Sequence, residues 1–322
     1  MTARLRDDPD ALNALVSRVA EHRGLNPAYV EKDFWVTEVL RVASRARPIA
    51  GCDQPVEFIF KGGTSLSRVF GLIDRFSEDI DLLTAFPEGP GPSARHTVFK
   101  QVDAEVAARL GTPGIVGPST TGVKRDTTYV YPASFSGGAL KEGVLLEMGS
   151  RGGTHPASLH PFRSMVAIYA EEVLGEGSSE WEEFAGFQVS VLAPERTLLE
   201  KLAAVHAAAS AGDGSALLKA GRHFYDIAQL LASPAVTDTL DALGPEGVGE
   251  LVTDIDSHSQ SAGFAWSARP DGGYADSPAF DAAAEDYPFV VRGYESALGL
   301  VYGRRPPLTE VFDVVQQHRH SL

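Results

Sequence analysis

Apolar residues recur at helical spacing over the first fifty positions. Leu12, Leu15, Val16 and Val19 share one face of a helix with Asp10 as its cap, and Pro27 opens a second helix carrying Val30, Phe34, Val36, Val39, Leu40 and Val42. The period then shortens. Val56-Glu57-Phe58-Ile59-Phe60 reads as a strand running into a turn at Gly62-Gly63, Leu66 to Ile73 returns to helical spacing, and Asp79-Ile80-Asp81-Leu82 alternates as a half-buried strand. Pro87 to Pro92 is a breaker cluster ahead of a helix from about Ala94 to Leu110. Thr127–Tyr131 and Gly143–Met148 read as two strands, with Ser136-Gly137-Gly138 as a hairpin turn between them. From Pro194 onward the spacing is helical, interrupted by a Gly, Ser, Pro and Ala-rich stretch from Gly263 to Ser277. This order predicts an α+β protein. Residues 1–190 form a mixed-sheet core with N-terminal helices, residues 191–322 a helical domain, and the boundary falls near Val189–Pro194.

Composition narrows the class. With 322 residues, two domains are the natural expectation, and 43% hydrophobic with 22% charged residues excludes wholesale disorder. The single cysteine, Cys52, excludes an internal disulfide framework and any zinc site built on two thiolates. No apolar run approaches the roughly 18 residues that span a bilayer, and Asp7, Asp8, Asp10 and Glu21 occupy the N-terminal region where a signal peptide would be apolar. A cytoplasmic protein that uses no membrane is therefore expected. The 28 Lys and Arg against 43 Asp and Glu leave a net charge of −15, which argues against wrapping nucleic acid wholesale but leaves room for a local basic funnel.

The chemistry concentrates between residues 61 and 82. Lys61-Gly62-Gly63-Thr64-Ser65-Leu66 places two glycines between a strand and a helix, a junction where backbone N–H groups and the Thr64 and Ser65 hydroxyls can cradle a phosphate. It is not a Walker loop, because no Gly-Lys-Ser/Thr follows a four-residue spacer. Asp79 and Asp81 sit two apart, so on a strand both carboxylates leave one face while Ile80 and Leu82 face the core. Two carboxylates about 4 Å apart repel by roughly 4 kcal/mol at an effective dielectric near 20. A hard cation reverses that sign, and one or two carboxylates plus substrate phosphates suit Mg²⁺. Glu147, on another strand, is a candidate third metal ligand. Together these features describe metal-assisted nucleotidyl transfer from a nucleoside triphosphate.

The block Lys61 to Leu66 through Arg75-Phe76-Ser77-Glu78-Asp79-Ile80-Asp81-Leu82 resembles the signature of the AbiEii/AbiGii (MenT-like) nucleotidyltransferase toxins. Glu31-Lys32-Asp33-Phe34-Trp35-Val36 is similar to that family's Lys-Asp-aromatic helix. Glu200-Lys201-Leu202 and Arg222-His223-Phe224-Tyr225-Asp226-Ile227 are similar to its two later motifs, and Asp286-Tyr287 with Gly303 and Pro306-Pro307 is a looser match. Fifteen residues separate Gly63 from Asp79, longer than the usual spacer of the wider superfamily but normal for this family. The resemblance implies a polymerase-beta-like nucleotidyltransferase fold whose helical C-terminal domain closes the active-site cleft. It implies Asp79, Asp81, Lys201 and Asp226 as catalytic residues, with Asp79 or Asp81 doubling as base. Phosphates would be held by Lys61, Gly62, Gly63, Thr64, Ser65, Arg75, Ser77, Lys201 and Arg222. The implied reaction attaches nucleotides to an RNA 3′ hydroxyl, with the tRNA acceptor end as target, and so blocks translation; a cognate antitoxin is the implied partner. Ser77 is a candidate site for control, since phosphate there would add charge beside the carboxylates.

Read without the resemblance, several of these residues have plainer roles. Lys201 lies on the border of an apolar stripe, Leu198, Leu202 and Val205, where a lysine packs its stem and keeps its head in water. Arg222 and Asp226 are i,i+4 helix partners contributing about 0.3–0.5 kcal/mol. Lys32-Asp33 reads as a helix-surface pair or an inter-domain contact, and Lys124-Arg125 and Arg304-Arg305 as solvated basic pairs. His155, His160, His206, His318 and His320 lack metal-ligand spacing. Two other functions fit the same block: adenylylation of a small molecule such as an antibiotic, or of a protein side chain, and a non-catalytic binding module on a nucleotidyltransferase fold.

Overall fold

A computed structural model describes residues 2–137 and 140–322; Gly138 of the expected hairpin turn lies outside the described residues. The strands are β1 (Arg47–Ile49), β2 (Cys52–Lys61), β3 (Ile80–Ala85), β4 (Ile115–Thr120), β5 (Lys124–Tyr129), β6 (Val144–Gly149), β7 (Ala157–Phe162) and β8 (Phe187–Leu192). The helices are α1 (Pro9–Arg23), α2 (Pro27–Ala43), α3 (Gly62–Arg68), α4 (Pro92–Leu110), α5 (Met165–Tyr169), α6 (Pro194–Ser210), α7 (Gly214–Lys219), α8 (Gly221–Leu231), α9 (Pro234–Ala262, broken at Gly244), α10 (Tyr287–Ala297) and α11 (Leu308–Gln317).

Two compact units divide the chain: Met1–Thr64, Ser77–Ser150 and Ala157–Val191 in one; Ser65–Phe76, Arg151–Pro156 and Leu192–Leu322 in the other. The first unit carries the sheet, ordered β4-β5-β6-β3-β2-β8-β7, with β1 also on β2. It is mixed: β2–β3, β5–β6 and β4–β5 run antiparallel, β3–β6 and β2–β8 parallel. This is the expected mixed-sheet α+β core with flanking helices. Strand β6 alternates, with Val144, Leu146 and Met148 buried while Leu145, Glu147 and Gly149 are half-buried; β2 and β3, at the middle of the sheet, bury consecutive residues at Phe58-Ile59-Phe60 and Leu82-Leu83-Thr84. Helix α2 packs on β6 and on α4, burying Val30, Phe34, Val39 and Leu40 with Phe99, Val102 and Val106.

The second unit is helical. Leu198, Leu199, Leu202 and Val205 of α6 meet Phe224, Ile227, Leu230 and Leu231 of α8, and Val290, Tyr294, Val311 and Val315 join from α10 and α11. Leu66 and Ile73 belong to the same core. The helix expected over 66–73 instead begins at Gly62 and ends at Arg68, where a turn closed by Leu72 N–H to the Leu66 carbonyl (2.9 Å) stops it. The apolar residues beyond it serve long-range packing rather than a helix face. At the N-terminus the cap is Asp8, not Asp10: its side chain accepts Ala11 N–H at 3.0 Å, and Pro9 takes the first helical position. Among the described residues no helix is long and apolar enough to cross a membrane.

Candidate active site

Sheet register assembles the acidic centre. Asp81 on β3 pairs with Glu147 on β6, Glu147 pairs with Asp126 on β5, and Lys61 on β2 pairs with Asp81 from the other side. Residues in register on neighbouring strands share a face about 4.7–4.9 Å apart, so Lys61, Asp81, Glu147 and Asp126 form one row across four strands. Like charges side by side oppose one another. Burial raises the Glu147 carboxyl above its ordinary value, and the charge of Asp81, a hydrogen bond with it, and Asp79 push the same way. Lys124 relieves the far end, with Nζ 2.9 Å from Asp126 Oδ2 and 3.6 Å from Glu147 Oε1.

Gly62 closes the row from above. Its φ of 80° is left-handed, and a Cβ there would overlap Asp81 Oδ2, so only glycine lets this backbone lie against the carboxylate. The next residues differ from the expected hydroxyl cradle. Thr64 is buried, donates its hydroxyl to the Asp79 carbonyl at 2.6 Å and lies 3.0 Å from Ser77 Oγ. That proton stitches the start of α3 to the approach to β3 and is not presented to a phosphate. Ser65 is buried too, whereas Ser77 is half-buried. Asp79 stands one residue before β3, and its Oδ2 lies 3.1 Å from Lys141 Nζ.

Lys32 and Asp33 are neither a surface pair nor an inter-domain contact. Both are buried inside the first unit: Lys32 Nζ donates to the Lys141 carbonyl at 2.9 Å and to the Gly143 carbonyl, and Asp33 Oδ2 accepts Met165 N–H at 2.6 Å. Neighbouring Glu31 accepts the N–H groups of Ser134 (2.8 Å) and Phe135 (3.2 Å), and Trp35 stacks on Tyr131. The helix thus holds the backbone of Ser134, Phe135, Lys141 and Gly143 between β5 and β6.

In the second unit a different charge cluster forms. Asp226, 0% exposed, takes a bidentate pair from Arg75 (Nε to Oδ1 2.6 Å, Nη2 to Oδ2 2.7 Å) and a further ion pair from Lys201 Nζ at 2.9 Å. Burial alone would raise this carboxyl, but Lys201 and Arg75 overcome it and hold the group well below the carboxylate range. The expected i,i+4 pair with Arg222 is absent because Asp226 points into the core while Arg222 is exposed. Lys201 is not a snorkelling border residue, being only 7% exposed. His223 lies 3.4 Å from Lys201 Nζ; burial and then Lys201 push its imidazole down to about 3.

The strand carrying Asp81, the glycine bend before it and the Lys201 and Asp226 helices all lie within a segment, residues 52–247, that matches the family model described as nucleotidyl transferase AbiEii toxin, type IV toxin–antitoxin system. The match covers more than half of the chain. The chain belongs to the AbiEii nucleotidyl transferase toxin family. The similar stretches at Glu31–Val36 and Asp286–Pro307 lie outside the AbiEii segment. No curated protein is similar enough to add to this.

For an AbiEii protein, the question is whether these residues suit a divalent cation. Among the described residues no group of three or more His, Cys, Asp or Glu side chains is arranged to hold a metal ion by itself, so Asp79, Asp81 and Glu147 do not close into a ready-made cage. Mg²⁺ seldom has one; it is bound through one or two carboxylates together with substrate phosphates. The Asp81–Glu147 pair, repelling and all-oxygen, fits that pattern. So does Asp126, whose Oδ1 is buried without a hydrogen-bond partner and whose carboxyl is raised by burial. Asp126 and Lys141 were not singled out by sequence. Asp126 falls just ahead of the strand expected from Thr127, and Lys141 lies in a loop where no periodicity applies.

Proposed function

We propose that this chain transfers a nucleotidyl group from a nucleoside triphosphate to the 3′ hydroxyl of an RNA, the tRNA acceptor end, and thereby stops translation. Family membership supports the transfer and, through the type IV toxin–antitoxin system, a cognate antitoxin. The observation that carries the chemistry is the register pairing of Asp81 with Glu147 under the Gly62 bend. Mg²⁺ bound there with the triphosphate would supply Lewis-acid neutralisation of the phosphates. Asp81 and Glu147 are its protein ligands in this reading. Asp79 sits at the strand end, where it can accept the proton of an attacking hydroxyl or take part in metal binding. Lys61 flanks the row as a phosphate contact. Gly62 and Gly63 let backbone N–H groups approach the triphosphate, and Thr64 holds the Asp79 backbone rather than the phosphate itself. In the second unit, Lys201 and Arg222 are the phosphate-contact candidates, and Asp226, fully buried with both oxygens engaged, is a positioning residue for Lys201 and Arg75.

The test is incorporation of labelled nucleotide by purified protein with Mg²⁺, offered total RNA, isolated tRNA, and hydroxyl-bearing antibiotics in parallel. Label in tRNA-sized RNA is expected, and digestion should place it at the 3′ end. Label on the small molecule instead would favour the antibiotic-modifying reading, which a net charge of −15 also suits. Asp81→Asn should fold as the parent does and lose more than about a hundredfold of the incorporation; retained activity would count against the assignment.

A further inference from the structure

The segment before β6 carries a lysine held by its backbone and exposed at its side chain. Lys141 N–H donates to Glu78 Oε2 at 2.9 Å, and its carbonyl accepts from Lys32 Nζ at 2.9 Å. Glu78 and Lys32 are themselves ion-paired at 3.3 Å, and the Lys32 side chain is 1% exposed. Burying that pair is costly: desolvation lowers the Lys32 ammonium, and Glu78 only partly offsets it. The site it fixes is one peptide unit. From that fixed point the Lys141 side chain, 61% exposed, reaches Asp79 Oδ2 at 3.1 Å.

Asp79 needs a cation. It lies beside Asp81 and Glu147, close enough that its charge raises the Glu147 carboxyl. Other cations stand around the row, Lys61 in register with Asp81 among them. Lys32 feels Asp79 but is committed to Lys141, Gly143 and Glu78; Lys124 serves Asp126 and Glu147. Unlike Lys32, Lys141 has a side chain that can leave without unmaking a buried bond.

We propose that Lys141 is the tethered counter-ion of Asp79 in the nucleotide-free protein, competing with a divalent cation for that carboxylate. The inference rests on the reading of the acidic row as a cation site. Its chemistry is exchange of one ion pair for another, with no covalent step. An exposed lysine–carboxylate pair is weak, so displacement is easy and the effect of removing it is modest.

The experiment measures Mn²⁺ binding to full-length protein without nucleotide, by titration calorimetry and by the loss of free Mn²⁺ electron paramagnetic resonance signal. Lys141→Ala keeps both backbone bonds of residue 141 and should bind Mn²⁺ about two- to fivefold more tightly than the parent, while Lys141→Arg stays near the parent value. In an Asp79→Asn background the Lys141→Ala step should change nothing, because the shared carboxylate is gone. Unchanged or weaker Mn²⁺ binding in Lys141→Ala overturns the proposal, as does an equal gain in the Asp79→Asn background. A parent that transfers nucleotide and binds Mn²⁺, with no response at Lys141, removes this inference alone. A parent that binds no Mn²⁺ with or without triphosphate removes the cation reading of the row as well.

Discussion

At Gly62 the backbone takes φ 80°, and the space a Cβ would need is held by Asp81 Oδ2. Gly62→Ala therefore meets two penalties: the left-handed torsion costs about 1–2 kcal/mol, and Asp81 must turn out of its row. Denaturant melting should show a loss of at least that size, and nucleotide incorporation should fall further than the stability loss explains. The sequence made this glycine conspicuous because Gly-Gly followed a β-branched run, but the close approach to Asp81 appears only once β2 and β3 are paired with Lys61 opposite Asp81. Thr64 shows the opposite case. Its position after the glycines suggests a phosphate donor, yet its hydroxyl is spent on the Asp79 carbonyl, a partner no local pattern reveals.

Helix α8 illustrates how an element can look like one thing and be another. Its Arg222–Asp226 spacing suggests a surface ion pair, but α8 is buried on nearly every side, and Asp226 goes under together with Phe224, Tyr225, Ile227 and Leu231. There its partners come from Arg75, 151 positions away, and from Lys201 on α6. Asp226→Asn should leave two buried cations uncompensated and cost about 3–5 kcal/mol in urea unfolding. Since the carboxyl is held below its ordinary 3.8, its contribution is complete above that pH and drains away only as pH falls through the lower folded value. His223 acts earlier. An unfolded imidazole takes a proton below about 6.5, while the folded one resists until about 3, so stability falls as pH drops through that window. Urea midpoints measured from pH 7.5 to 4.5 should decline less steeply in His223→Gln, the slope dropping by up to one bound proton.

Across the whole chain, the two units do not follow one cut in sequence. Residues 65–76 and 151–156 belong with 192–322, and the first of these supplies Leu66 and Ile73 to the helical core and Arg75 to Asp226. A fragment of residues 192–322 lacks all three, leaving vacancies in its core and Asp226 with Lys201 as its remaining ion pair. It should show no cooperative thermal transition by circular dichroism, whereas the full chain should. The strong net negative charge acts at this scale too. It makes any RNA contact depend on local cations, so incorporation into RNA should fall with added salt.

The amino-acid order by itself determined the two N-terminal helices, the strands β2, β3, β5 and β6, and the apolar face of each, because these follow from periods of 3.6 and 2 that local burial enforces. It also marked the Gly62-Gly63 bend and the Asp79, Asp81 alternation that carry the family signature. Tertiary structure alone decided who stands beside whom. Register across β5, β6, β3 and β2 set Asp126, Glu147, Asp81 and Lys61 in one row, and core packing gave Asp226 its distant partners and Lys141 its fixed base. Such pairings join segments with no shared periodicity. They are fixed by which arrangement buries the apolar faces together, and that selection acts on the folded chain as a whole.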